Sequence, residues 1–146
     1  MENKNTKTMG GRWELFLASL GALVCITITL VIWLDISQYQ GTWLLPGSYF
    51  LELMAGGVIC WILFLTKSHR ASLVSWIYSG LITGFMILAS FSVGFLFLPV
   101  FLLFFGLSIY SDIKNHQKVL IHLGAFLVAA IVQAGLMVVI VGFYAR

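Results

Sequence analysis

The sequence predicts an all-α, polytopic membrane bundle of five transmembrane helices, arranged as two tandem hairpins plus one further helix. Two observations lead to this prediction. The 146 residues are 61% hydrophobic and only 9% charged, whereas soluble domains are about 25% charged. The charged residues also cluster between apolar runs that are long enough, at about 20 residues, to cross a hydrocarbon core. The composition excludes a soluble globular domain, a disordered chain and a nucleic-acid binder.

The predicted elements follow the apolar runs in order. Residues 1–12 form a polar, basic tail, and 13–146 form a single transmembrane domain. The first run is too long for the core of a cleaved signal peptide. The run from Ala71 to Asp112 would make about 60 Å of helix at 1.5 Å per residue. A core of about 30 Å requires a break, which we place before Pro99. The five predicted spans cover 13–34, 44–66, 71–90, 96–111 and 119–144.

The distribution of basic residues predicts the orientation. With five spans, seven of the eight Lys and Arg residues share one side of the membrane, and Arg146 lies on the other. The positive-inside rule then predicts a cytoplasmic N-terminus. We expect a multi-pass protein of the cell membrane, most simply a bacterial plasma membrane. The seven basic residues are Lys4, Lys7, Arg12, Lys67, Arg70, Lys114 and Lys118.

A short sequence pattern precedes both the second and the fourth span. Residues 41–46 and 94–99 each read Gly-x-x-x-Leu-Pro, and proline suits the first turn of a helix because its missing N–H is not needed there. The pattern predicts a parallel internal repeat. Chance similarity remains the alternative.

Polar residues inside the spans predict one polar layer in the half of the membrane opposite the basic clusters. Glu52 and Gln133 come out roughly 10 and 15 Å below that surface at 1.5 Å per residue, with Thr27, Thr29 and Thr83 nearby. Ionisable residues within spans usually face a bundle interior or a cavity. The functional hypothesis is a site for a proton, an ion or a head group. The alternative is a structural role, with a protonated Glu52 hydrogen-bonded to Gln133 or a threonine.

Small residues at four-residue spacing predict where the helices pack. Such spacing lets two helix backbones approach closely in a membrane, where no hydrophobic force drives spans together. We expect these positions to be used within the chain. The predicted packing residues are Gly80, Gly84, Ala18, Ala22, Ala125 and Ala129.

Phenylalanines predict an outward-facing surface on the fourth span, because a helix that is apolar all round faces lipid or a large apolar partner. The surface could contact lipid, or it could contact another membrane protein. Its predicted members are Phe95, Phe97, Phe101, Phe104 and Phe105.

Histidines and cysteines do not form a recognisable metal or catalytic motif. His69, His116 and His122 lack helical ligand spacing, and we interpret them as interfacial residues. Cys25 and Cys60 lie in separate apolar runs, where free thiols behave as small hydrophobes. The sequence predicts no catalytic residue, no metal site and no cofactor, and hence no enzyme.

Two classes of function remain open. We expect a small accessory or scaffold subunit that packs in the bilayer against a larger membrane complex, with membrane lipids and other membrane subunits as partners. The chain has no soluble domain and few ionisable groups in its spans. The alternative is a small transporter, channel or ligand-binding protein that uses the polar layer around Glu52.

Overall fold

The fold is a bundle of five membrane-length helices. The computed structural model describes residues 6–36, 44–89, 93–117 and 119–144, which contain no strand. Their elements are α1 Thr6–Ile36, α2 Leu44–Leu65, α3 Ala71–Leu88, a 3-10 helix Gly94–Phe97, α4 Leu98–Lys114 and α5 Val119–Tyr144. The described residues contain five helical segments long and apolar enough to cross a membrane, and the fourth of them, Gly94–Lys114, combines the 3-10 helix with α4. The prediction of an all-α, five-span membrane bundle is confirmed, while the cytoplasmic N-terminus stays a prediction.

The helices alternate in direction, so that the basic residues of the described chain collect at one end of the bundle. The start of α1 meets the end of α4 there, where Lys114 forms an ion pair with Glu14 at 3.0 Å. The α2–α3 turn carries Lys67 and Arg70 at the same end. We call this end, with the starts of α1, α3 and α5 and the ends of α2 and α4, the basic end.

Helix α3 is central to the bundle. It packs against α2, α4 and α5, while α1 packs across α2 and α4. Helix α5 packs mainly on α3 and leaves most of its own surface uncovered. Two glycines make the α3–α5 contact close. A Cβ added at Gly80 would lie 2.3 Å from the Phe126 carbonyl oxygen, and one at Gly84 would lie 2.7 Å from the Ala130 carbonyl oxygen. The two backbones therefore touch, as small residues permit.

The remaining predicted packing residues lie on α1 and α5. Ala18 and Ala22 are buried. Gly21, which lies between them, contacts the Phe104 ring. A Cβ added at Gly21 would lie 2.7 Å from Cε2 of Phe104. On α5, Ala129 is buried against Gly80, and Ala125 is half-buried.

The prediction of one outward-facing phenylalanine surface is wrong for Phe97 and Phe104, which are both 0% exposed. The Phe97 ring lies 5.4 Å from Phe85 and 6.1 Å from Phe50, and the Phe104 ring lies 4.9 Å from Tyr78. The physical reason is that α4 packs against both α1 and α3, so its apolar residues divide between core and surface.

The other phenylalanines of that set are less buried. Phe95 is 67% exposed. Phe101 and Phe105 are half-buried and lie 6.5 and 5.5 Å from Phe126 of α5. They cover one side of the α3–α5 contact instead of forming a free surface.

The turns at the basic end share one geometry. Lys67 and His116 have φ of 50° and 52°, and each is followed by an N–H that bonds back to the fifth preceding carbonyl, from Ser68 and Gln117. This is the Schellman ending of a helix, in which glycine is the usual left-handed residue. Two non-glycine residues therefore occupy a backbone conformation that costs about 1–2 kcal/mol.

The structure describes only one of the two copies of the predicted repeat in full. Residues 94–97 form the 3-10 turn that leads into α4, and Pro99 lies in the first turn of α4. Residues 41–43 lie outside the described residues, and so the repeat stays a prediction.

Candidate functional site

A buried carboxylate lies at the basic end, where α3, α4 and α5 meet. Asp112, in the last turn of α4, is 0% exposed. The Trp76 indole N–H donates to its Oδ2 at 2.8 Å, and the Ser72 hydroxyl donates to its Oδ1. Nδ1 of His122 lies 2.9 Å from Oδ2. We call Ser72, Trp76, Asp112 and His122 the Asp112 cluster.

The proton arrangement of the Asp112 cluster follows from its geometry. Both carboxylate oxygens accept hydrogen bonds, from serine and from tryptophan, so Nδ1 of His122 is the nitrogen that carries the proton. A carboxylate has about four acceptor positions, and three donors leave little capacity for a substrate. Among the described residues, no hydrogen bond joins His122 to a serine or cysteine nucleophile. The cluster is therefore suited to joining three helices.

Sequence reasoning missed Asp112 as a site residue because it stands near the end of a span, where charged residues are ordinary. A signal was present in the neighbouring serines. Ser72, Ser75 and Ser79 follow helical spacing on α3, as do Ser108 and Ser111 on α4. All five are buried, and the hydroxyls of Ser72 and Ser75 donate across the helix contact to α4 carbonyls, those of Ser108 and Phe104. Two polar stripes on consecutive apolar helices indicate a shared interface that could accommodate a carboxylate.

Of the residues predicted to form the polar layer, Glu52 and Gln133 are the two that the described structure joins by a hydrogen bond. Gln133 is 1% exposed and its amide donates to Glu52 Oε2 at 3.1 Å. The hydroxyls of Thr27 and Thr83 instead donate to carbonyls of their own helices, at 2.9 Å each. Thr29 is buried, and within the described residues no hydrogen bond joins it to Glu52 or Gln133. The structure thus brings together Glu52 and Gln133, but it does not hydrogen-bond the threonines to them.

Glu52 and Gln133 bridge two helices that otherwise do not pack on each other. In the described residues α2 and α5 flank α3 without direct backbone contact. The Glu52 side chain is exposed on the outside of the bundle. Its carboxyl group thus belongs to the surface of the membrane domain, in contrast to the interior position expected from the sequence.

A cavity of about 840 Å³ opens at the basic end. Its polar residues come from the start of α1, the α2–α3 turn and the end of α4. The charged and titratable residues that line it are Arg12, Glu14, Lys67, His69 and Lys114. Ser72 and Ser111 also line it, so the cavity borders the Asp112 cluster. We call it the basic cavity.

Histidines and cysteines do not assemble into a metal site within the described residues. His69 lines the basic cavity, whereas His122 belongs to the Asp112 cluster. Cys25 and Cys60 are both 0% exposed free thiols. The Cys25 sulfur lies 3.2 Å from the Tyr78 hydroxyl, which donates to the Leu53 carbonyl at 2.8 Å. This second polar group joins α1, α2 and α3 within the core.

No protein-family model, no curated protein and no solved structure matches this chain.

Proposed function

We propose that this chain is a small, non-enzymatic accessory subunit that packs in the bilayer against a partner membrane protein. The surface that contacts the partner is the side of α2 that carries Glu52. Its exposed residues follow one helical stripe: Glu52, Ala55, Ile59 and Ile62. We call this stripe the Glu52 face. Because the spans carry few ionisable groups, association with a partner fits the chain better than transport or catalysis.

The observation that supports this proposal is the position of the Glu52 carboxyl group. Glu52 lies eight residues into α2, about 12 Å along the helix, and its side chain is exposed on the bundle surface. A charged residue in hydrocarbon costs a few kcal/mol. The Gln133 amide bonds to one carboxyl oxygen, and a carboxylate accepts more bonds than that. A partner helix with a hydrogen-bond donor at this level would remove the cost.

The exposed surface of α1 gives a contrast within the same chain. It presents a stripe of apolar residues, with Thr27 among them. The Thr27 hydroxyl bonds to the Leu23 carbonyl in its own helix, so this surface brings no unsatisfied polar group to lipid. It is the surface expected of a helix that faces lipid alone, and it serves as a matched control.

The test is site-specific photocrosslinking in the native membrane. A photoreactive amino acid replaces Ile59 on the Glu52 face, 52% exposed, or Leu23 on α1, 63% exposed. After irradiation the tagged chain is extracted in mild detergent, and adducts are identified by mass spectrometry. We expect position 59 to give one heterologous adduct of defined mass, and position 23 to give none.

Variants of Glu52 connect the adduct to the carboxyl group. Glu52→Leu should abolish the adduct at position 59 while the chain remains folded, and Glu52→Gln should retain part of it. A Glu52→Leu variant that crosslinks as well as the parent would contradict the proposal. So would migration of the parent as a monomer on a native gel, or an adduct between two copies of this chain.

A further inference from the structure

We propose that the basic cavity binds a phosphate-bearing anion, either the phosphate of an anionic phospholipid headgroup or free phosphate. This inference is independent of the contact proposed at Glu52, which lies in the first half of α2, away from the basic end. Its basis is the charge of the lining. Arg12, Lys67 and Lys114 face one carboxylate, Glu14. Among the described residues that line the cavity, two positive charges thus remain uncompensated when His69 is neutral.

The carboxylates near the cavity are already paired. Glu14 lies 3.0 Å from the Lys114 ammonium group. Asp112 lies behind Ser72, fully buried, and its carboxyl oxygens are hydrogen-bonded within the Asp112 cluster. Neither acid therefore neutralises Arg12 or Lys67, whose side chains are exposed at the opening. The uncompensated charge comes from two different segments, the start of α1 and the α2–α3 turn.

The N-terminus of α3 adds to the positive potential. Its first residues, Ala71 and Ser72, line the cavity. The residue at the N-cap is Arg70, which makes no side-chain capping bond. The N-terminus of an 18-residue helix carries a partial positive charge and favours phosphate groups. The cavity thus combines two free cations with a helix terminus.

The volume of the cavity and its level relative to the lipid headgroups favour a lipid as the source of the phosphate. Pockets of about 300–1,000 Å³ hold ligands much larger than inorganic phosphate, and this cavity is about 840 Å³. Trp13, which follows Arg12, is 59% exposed, and exposed tryptophans mark the level of lipid headgroups. A glycerophosphate headgroup would enter the cavity while its acyl chains remain along the bundle.

The test measures equilibrium binding to the full chain in uncharged detergent. The probes are phosphatidylglycerol, zwitterionic phosphatidylcholine and inorganic phosphate, with lipid retention read by native mass spectrometry and phosphate binding by equilibrium dialysis. The variants are Arg12→Gln and Lys67→Gln. Arg70→Gln is the matched control because Arg70 is an exposed cation at the same end that does not line the cavity.

We expect one retained phosphatidylglycerol per chain and weaker retention of phosphatidylcholine. Each cavity variant should weaken phosphatidylglycerol binding about fivefold, which corresponds to about 1 kcal/mol per basic residue near a membrane surface. Arg70→Gln should change it less than twofold. Binding of inorganic phosphate with the same sensitivity to the variants would assign the site to a soluble phosphate.

Two results would overturn the proposal. One is that all three variants weaken phosphatidylglycerol binding equally, since that would indicate general electrostatic attraction to the basic end and no specific site in the cavity. The other is retention of phosphatidylglycerol no stronger than that of phosphatidylcholine, together with no binding of inorganic phosphate. Unfolding midpoints of the variants, measured in parallel, keep a loss of binding separate from a loss of fold.

Discussion

Removing the Asp112 carboxylate should destabilise this fold more than any other single change to a polar side chain. Asp112→Ala leaves three donors at a buried site without an acceptor, those of Ser72, Trp76 and His122. Neutral hydrogen bonds between spans average about 0.6 kcal/mol, so three of them give a lower limit of about 2 kcal/mol. Hydrogen bonds to a charged group are worth more, about 1.5–3 kcal/mol each. We therefore expect the free energy of unfolding to fall by about 2–5 kcal/mol.

The two cysteines provide the assay. Cys25 and Cys60 are the only cysteines in the sequence, and both are 0% exposed free thiols. A thiol-reactive fluorescent dye therefore reports unfolding without an added label. The free energy is obtained from the midpoint and slope of a denaturant titration in mixed micelles. Asp112→Asn keeps the shape of the side chain and one acceptor oxygen. Its free energy of unfolding should be about 1–3 kcal/mol below that of the parent, because hydrogen bonds to charged groups are stronger than those between neutral groups.

Two further variants decide whether this reasoning holds. Asp35 is exposed at the end of α1, and Asp35→Ala should change the free energy by less than about 0.5 kcal/mol, as surface substitutions do. The double variant Asp112→Leu, His122→Leu should cost less than the two single changes together, because neither side chain of the pair is then left without its hydrogen-bond partner. An Asp112→Ala variant as stable as Asp35→Ala would refute the assignment of Asp112 as the residue that joins α3, α4 and α5.

Three other changes test the packing, the turns and the core. Gly80→Ala should lower the free energy of unfolding by about 1–3 kcal/mol because it overpacks the α3–α5 contact. Gly106→Ala should be neutral or slightly stabilising, since an added Cβ there meets open space. Unfolding of the two variants, followed with the thiol-reactive dye, measures the difference. Lys67→Gly should raise the free energy of unfolding by about 1 kcal/mol because glycine adopts a φ of 50° without strain, and it should also weaken phosphatidylglycerol binding. His116→Gly should change the free energy of unfolding but leave phosphatidylglycerol binding unchanged. Tyr78→Phe should lower stability by about 1 kcal/mol through loss of its hydroxyl hydrogen bond, and an unchanged unfolding midpoint would contradict this.

The boundaries of the spans could be predicted because hydrocarbon selects for long apolar runs that end at charges. The second, third and fifth helices end within two residues of their predicted limits. The first and fourth extend further, to Thr6 and Lys114. Their extra segments contain most of the charged residues near these helix ends, and hydropathy carries no information about a helix once it leaves the membrane core.

The interior of the bundle could not be predicted in the same way. In a membrane, lipid and protein interior are equally apolar, so hydropathy cannot distinguish a residue that faces lipid from one that faces another helix. Phe97 and Phe95 have the same side chain two positions apart, yet one is 0% and the other 67% exposed. Asp112 was equally ambiguous, because its burial depends on the convergence of three helices that are distant in the sequence.

The same argument explains how α5 can have a defined orientation. His122 and Gln133 are eleven residues apart, three turns of helix, and therefore lie on one face. That face also carries the buried Ala129 and packs on α3. The close contact of Gly80 and Gly84 with this face already favours one orientation. Rotation of α5 would break this contact and also the hydrogen bonds of His122 to Asp112 and of Gln133 to Glu52. Packing and the two polar contacts, one in each half of the membrane, thus together determine which side of α5 remains exposed.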